Sequence, residues 1–426
     1  MSAMPSPLPA AETRPAPPPR ESDPDSVGRY LLSFEWPMQN KAVFESLVKN
    51  GMPLWLGILS MVPQPRERGR LLELGSPPFN ITLLVQKFRN YELTLTAATA
   101  DGRPRFEQRI RSAAYGEEHC FECHCFDIER TTFPFPDDTF DVVMWCEVIE
   151  HLTQNPIFTL REIHRVLKPG GAVVISTPNV ARVENLLRLW LGSNVFDPYH
   201  LGAPLQGSRH SREYTLADLT DMLTGCGFRI DVAEGRDLNE SRAIRIARLI
   251  ERIVGFFWRF GANVHADHLF VRAVKGGPFR WAFPECLFDP GHLLWYLDVR
   301  DREVVMGQNE IPHTTLGWGP LEVGVQGKSQ RRAGPIGDAY VVAHTPFQRV
   351  VLEIAAVDAP APVKVEVWQG AGDALHQLAL RETQAAADHW SRLEIPVGSD
   401  VQIGKPVQLR ILAPSGVYVH RIALES

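Results

Sequence analysis

The chain has 426 residues with 44 Lys and Arg against 50 Asp and Glu, a formal net charge of −6, and is 44% hydrophobic and 22% charged. That length is beyond one ordinary core and predicts two folded domains and a tail, at ~150 residues per domain. The acidic balance argues against a general nucleic-acid binder, and no run reaches the ~18 apolar residues of a membrane span.

Residues 1–27 are rich in Pro, Ala and Ser, include Pro17-Pro18-Pro19, and lack an apolar period, which predicts a disordered tail. With no basic, apolar leader at the start and only six cysteines, the expectation is a reducing, cytoplasmic setting. Residues 28–65 read as a helical cap, with Ala42–Met61 forming two short helices broken at Gly51 and Pro53. A first strand over Arg70–Gly75, a glycine turn and a helix over Asn80–Lys87 follow. Leu93–Ala98 and Glu122–Ile128 read as the next strands. Cys120, Cys123 and Cys125 beside His119 and His124 suggest zinc, but no matching second pair exists and they overlap the strand, so they read as strand residues.

Val142-Val143-Met144, a helix ending Glu162–Leu167, the turn Pro169-Gly170-Gly171 and Ala172–Ile175 make a βαβ unit of a parallel sheet. Glu147, Glu150 and His151 fall just past the carboxyl end of its first strand, where open α/β sheets bind ligands. LLELGSPPFN (71–80), FPFPDDTFDVVMWCEVIEHL (133–152) and LREIHRVLKPGGAVVISTPN (160–179) resemble the successive motifs of class I S-adenosylmethionine-dependent methyltransferases, a resemblance spanning about residues 70–275. It implies a Rossmann-like seven-stranded sheet with helices on both faces and S-adenosylmethionine as cofactor. It also implies cofactor contacts at Glu73, Gly75 and Ser76 in the first turn, at Asp127 and Ile128 for adenine, and at Cys146 and Glu147 on the rim. Two departures stand out. Pro77 replaces the family's second glycine, and the second strand ends without the usual acidic residue, leaving Thr96 for the ribose hydroxyls.

Glu147, Glu150 and His151 form E-x-x-E-H; on a helix they would sit at i, i+3 and i+4 and converge. The motif is similar to that of metal-dependent O-methyltransferases of ubiquinone biosynthesis and of small-RNA ribose O-methyltransferases, which add a downstream histidine. His210 in RHSREYT is the candidate here. This implies a divalent-metal set of Glu147, Glu150, His151 and His210, for manganese, magnesium or zinc, with nitrogen donors favouring the softer ions. Equally, E-H at this place occurs without metal, and His151 or His210 then serves as general base. His164 on the following helix reads as structural.

Residues 180–212 look like a lid insertion with a helix over Val183–Leu191, and Arg182, Tyr199 and His200 as candidate acceptor contacts. A helix over Leu216–Leu223 and strands over Phe228–Glu234 and His268–Val274 complete the domain. Between those strands, 241–260 is an arginine-rich amphipathic segment that either covers the sheet or makes peripheral contact with an anionic membrane. Residues 276–426 show short alternating runs (340–342, 349–354, 363–368, 391–395, 407–412, 417–424) between turn signals, predicting an all-β, jelly-roll-like sandwich. Its ending GVYVHRIAL resembles the last strand of galactose-binding-like jelly rolls, and Trp281, Trp295, Trp318, Trp368 and Trp390 are either sugar platforms or core. The expected function is S-adenosylmethionine-dependent O-methylation of a sugar, glycan or glycolipid hydroxyl. The alternatives are a non-catalytic glycan- or protein-binding scaffold of the same fold and, less favoured, an RNA ribose methyltransferase.

Overall fold

The structure, a computed structural model, describes residues 17–36, 41–98, 102–153, 156–198, 209–238, 263–279, 287, 302–309, 314, 317–342, 344–369, 376–387, 389–399 and 401–426. Residues 1–16 of the predicted tail, Tyr199, His200, the 241–260 segment, Trp281 and Trp295 lie outside the described residues.

Helix α1 (Pro24–Leu32) starts at Asp23, whose carboxylate accepts from the Asp25 and Ser26 backbone N–H groups at 3.1 Å and satisfies two otherwise orphan donors. Helix α2 (Lys41–Met61) corrects the expectation of two short pieces: it runs on through Gly51 and Pro53. Proline removes one backbone hydrogen bond, but burial of Val48, Met52, Ile58, Leu59 and Met61 along the helix outweighs that loss.

A mixed sheet follows, built from β1 (Gly69–Glu73), α3 (Asn80–Phe88), β2 (Tyr91–Ala97), β3 (Arg105–Ser112), β4 (Glu117–Cys125), β5 (Phe140–Cys146), α4 (Ile157–Val166), β6 (Leu167–Pro178), α5 (Val183–Trp190), α6 (Leu216–Gly225), β7 (Phe228–Arg236) and β8 (His268–Lys275). The strand order is β3-β4-β2-β1-β5-β6-β8-β7. Strands β4, β2, β1, β5 and β6 pair in parallel, while β8 pairs antiparallel with both β6 and β7. This is the doubly wound sheet expected, with one addition: β3 pairs antiparallel with β4 and makes eight strands rather than seven. The Lys168-Pro169-Gly170-Gly171 turn lies inside β6, where Gly170 takes φ +77° and the register against β5 slips. Apolar layers cover both faces, one from α1, α2 and α3 and the other from α4 and α6. No helix among the described residues is long and apolar enough to cross a membrane.

The C-terminal sandwich comprises β9 (Glu303–Val305), β10 (Trp318–Val323), β11 (Ser329–Ala333), β12 (Ile336–Val342), β13 (Arg349–Ala356), β14 (Ala361–Gln369), β15 (His376–Ala385), β16 (Ser391–Pro396), β17 (Pro406–Leu412) and β18 (Val417–Glu425). One sheet orders β10-β11-β18-β13-β16 with β9 beside β18; the other orders β12-β17-β14-β15. The inward residues, such as Val350, Leu352, Val365, Leu409 and Ile422, form one core. Within the described residues Trp318, Trp368 and Trp390 are half-buried, and their indole N–H groups donate to Asp338 O, Glu366 Oε2 and Val325 O.

Candidate active site

A cavity of about 670 Å³ opens over the carboxyl end of β1. This is within the range of small-molecule and cofactor pockets. Its floor is the β1–α3 turn with Glu73, Gly75, Ser76, Pro77, Pro78 and Asn80, its side is Cys146 and Glu147 at the end of β5, and its outer wall is α2 through Ser46, Asn50 and Trp55. Of the eight residues expected to touch the cofactor, five line this cavity: Glu73, Gly75, Ser76, Cys146 and Glu147. Thr96, Asp127 and Ile128 do not. The α2 wall was not anticipated: Ser46 and Asn50 stand one turn apart on α2, but beside Glu45 and Lys49 they read as an ordinary polar face.

The turn is held from inside. Gly75 takes φ +74°, and a Cβ there would come within 2.6 Å of Val148 Cγ2, so only glycine fits. Thr96 is buried, and its hydroxyl donates to Glu73 O at 3.1 Å and accepts from Gly75 N–H at 3.3 Å. The hydroxyl braces the turn from beneath, and Thr96, expected at the ribose, does not line the cavity. Ser76 Oγ donates to Glu73 O and Thr82 Oγ1 donates to Glu73 Oε2 at 2.7 Å. Burial pushes the Glu73 carboxyl up to about 8, against the pull of Thr82 and Ser76. The Cys146 thiol is raised by burial and by the nearby Glu147 charge. Asp127 is exposed, and its carboxylate accepts from Glu129 N–H at 2.8 Å, just beyond β4.

The acidic rim departs from a helix. Glu147 takes φ +55°, ends the strand and turns aside, where Glu147 Oε1 accepts from Ser176 Oγ at 2.7 Å and Glu147 Oε2 lies 3.5 Å from His268 Nε2. A 3₁₀ turn over Ile149–His151 follows. Glu150, His151 and His210 come together, with one ligand atom of each within 4.8 Å of the others. Glu147 does not join them, which corrects the four-ligand expectation. The downstream segment is stapled to the turn by its backbone: Ser211 N–H and Arg212 N–H donate to Glu150 O at 2.7 and 3.2 Å, and the His151 and His210 rings stand 5.0 Å apart.

Hydrogen bonds fix both imidazoles. His151 Nδ1 faces Arg209 O at 3.1 Å; a carbonyl only accepts, so Nδ1 carries the proton and Nε2 keeps its lone pair. His210 Nδ1 donates to Glu213 Oε1 at 3.0 Å, leaving its Nε2 available in the same sense. Glu150 is buried, accepts from Thr177 Oγ1 at 2.9 Å, and is pushed up to about 8 by burial and then by the Glu147 charge. Burial lowers His151, whereas the Glu213 hydrogen bond raises His210. Although burial acts to raise Glu213, hydrogen bonds from His210 and Arg182 hold it below its ordinary value. Arg182, expected as an acceptor contact, is instead engaged with Glu213 and Asn179 O. Thr177 and Glu213 were missed as partners because nothing in their own spacing marks them. His164 is buried with Nε2 donating to Gly277 O at 2.8 Å, a structural role.

Residues 73–175 match the family described as "Methyltransferase domain". A probable S-adenosylmethionine-dependent methyltransferase of Mycolicibacterium smegmatis is 36% identical over 122 residues, which is 28% of this chain and 41% of that protein. An uncharacterized methyltransferase of Schizosaccharomyces pombe is 55% identical over 115 residues, 26% of this chain and 41% of that protein. This chain thus spans about two fifths of the length of either relative. A solved S-adenosylmethionine-dependent methyltransferase of Mesorhizobium loti is 15% identical with a TM-score of 0.34, covering 52% of this chain and 97% of that one.

Proposed function

We propose that this protein, which carries a class I S-adenosylmethionine-dependent methyltransferase domain, moves a methyl group from S-adenosylmethionine to a hydroxyl oxygen of a sugar, in a glycan or glycolipid. The observation that carries the reading is the convergence of Glu150, His151 and His210 beside the cofactor cavity. In-line transfer breaks the sulfur–methyl bond, forms an oxygen–methyl bond and requires the hydroxyl proton to leave. His151 is suited to take it, because burial keeps its ring neutral and its Nδ1 is already bonded to Arg209 O, leaving Nε2 as the base. His210, whose Nδ1 donates to Glu213 and whose pKa that bond raises, stands beside His151 as the second imidazole of the pair.

The same residues fit a divalent cation: one carboxylate oxygen, two imidazole nitrogens, and a carbonyl and a carboxylate on the far ring nitrogens, the usual support of metal-bound histidine. When bound, such a cation lowers the acceptor hydroxyl pKa; the nitrogen donors suit manganese, zinc or iron over magnesium. The sugar acceptor is supported by the appended sandwich and the likeness of its last strand to galactose-binding jelly rolls. Ribose methylation of RNA fits the same cluster, but a net charge of −6 weighs against it.

Isothermal calorimetry with S-adenosylmethionine, with and without manganese, tests the cofactor; absence of binding in both removes the enzyme and leaves a binding scaffold, the reading the proline-rich turn favours. Bound metal measured in the purified protein and in Glu150→Gln and His210→Ala variants tests the cation. Equal metal content in all three would reduce the cluster to acid–base chemistry.

A further inference from the structure

We propose that Asn80 holds the amino-acid end of the methyl donor, its amide N–H₂ donating to the α-carboxylate and its amide oxygen accepting from the α-ammonium. This rests on the reading of the cavity as the S-adenosylmethionine pocket.

Asn80 is the first residue of α3, is 2% exposed and lines the cavity floor. Neither its Nδ2 nor its Oδ1 has a hydrogen-bond partner among the described residues. Buried side-chain amides are nearly always paired, so an orphan of this kind calls for a ligand or an ordered water. The neighbouring buried polar groups of the turn sharpen the contrast, since Ser76, Thr82 and Thr96 all hydrogen-bond to Glu73.

The chemistry of the turn gives the reason. A glycine-rich turn brings backbone N–H groups up to a ligand, but Pro77 and Pro78 have none to offer. The donors lost to those prolines are replaced two residues on by an amide that supplies both a donor and an acceptor. The start of α3 adds the positive end of a nine-residue helix, where Phe79 gives no side-chain cap, and that favours a carboxylate. Asp127 and Ile128, the residues expected for adenine, lie outside this cavity, so its floor belongs to the opposite end of the donor. That end alone carries an adjacent anion and cation.

S-adenosylhomocysteine and 5′-methylthioadenosine share the nucleoside and thioether, but only the first carries the amino acid. Calorimetry of the full chain with both ligands is therefore decisive. In Asn80→Leu, S-adenosylhomocysteine should bind at least about tenfold more weakly, the scale of losing hydrogen bonds to charged groups, while methylthioadenosine binding changes less than twofold. The ligand-free melting temperature should hold or rise, because a buried unpaired amide is removed. Asn80→Ala is the second variant: it removes both polar atoms without adding bulk and should show the same selective loss. An unchanged affinity for S-adenosylhomocysteine, an equal loss for both ligands, or a lower melting temperature with unchanged affinity overturns the proposal, the last by assigning Asn80 to a structural water. If the unsubstituted protein binds neither ligand, the cofactor reading itself has failed, and the Asn80 proposal with it.

Discussion

Gly75 is where the cofactor turn and the acidic rim touch, and Gly75→Ala measures how rigidly they are joined. Two costs add. A non-glycine residue at φ +74° loses about 1–2 kcal/mol. The new methyl, 2.6 Å from Val148 Cγ2, must be accommodated by movement, and overpacking of this kind costs about 1–3 kcal/mol. The sum, about 2–5 kcal/mol, is a large part of the stability of an ordinary domain, ~5–15 kcal/mol. At roughly 2–4 °C per kcal/mol for a domain near 200 residues, the methyltransferase transition should fall by roughly 4–20 °C. Scanning calorimetry of the whole protein reads this, with the sandwich transition as internal reference, since two domains need not melt together. The two costs separate in a double-mutant cycle. Val148→Ala removes the obstructing methyl, so in its background Gly75→Ala should regain the overpacking part and keep only the backbone part. A loss below about 1 kcal/mol for Gly75→Ala, or costs that simply add with Val148→Ala, would refute the account of a turn wedged against the rim.

Glu73 gives a pH prediction. Its ordinary carboxyl value of 4.5 rises to about 8 in the folded protein through burial, so between those values the unfolded chain releases a proton that the native state retains. The stability tied to that proton is complete below about pH 4.5 and is lost as the pH rises through about 8. Urea unfolding of ligand-free Glu73→Gln against the unsubstituted chain should therefore show a difference that shifts towards the variant from pH 5 to pH 8.5, by on the order of a few kcal/mol; a difference independent of pH sinks the assignment. Glu213→Gln weakens the acceptor for His210 Nδ1 and should cost about 10–100-fold in manganese affinity or turnover, with the His210 ring titrating at a lower pH by NMR. An unmoved titration would mean that Glu213 serves only Arg182.

Most of the sheet was legible because its strands are buried on both faces and read as apolar runs, as at Val142–Met144 and Val173–Ile175. What stayed hidden carries a weaker signal. Strand β3 alternates exposed residues with Phe106, Gln108, Ile110 and Ser112, two of them polar, and half of β15 over His376–Ala385 is exposed, so neither shows a clear apolar face. Pro53 and Gly51 suggested a break in α2 that packing overrides, and Ser46 and Asn50 line the cavity from that continuous helix. Asn80 was read only as the first residue of a helix. Nothing in a single sequence shows that an amide will be buried with no partner.

The rim motif shows how spacing can be right about the residues and wrong about the geometry. Glu147, Glu150 and His151 converge at i, i+3 and i+4 only if 147 is helical, and its φ of +55° places it at the end of β5 instead. Glu150 and His151, adjacent in sequence, then meet on a 3₁₀ turn, and His210 arrives through backbone bonds to Glu150 O that no side-chain motif records. The correction matters for chemistry. Around a tetrahedral zinc four protein ligands would close the centre, whereas three would leave a position for an acceptor hydroxyl. With Glu147 turned to Ser176 and His268, its carboxylate sits on the cavity wall, and the proposed acid–base or metal chemistry falls to Glu150, His151 and His210 alone.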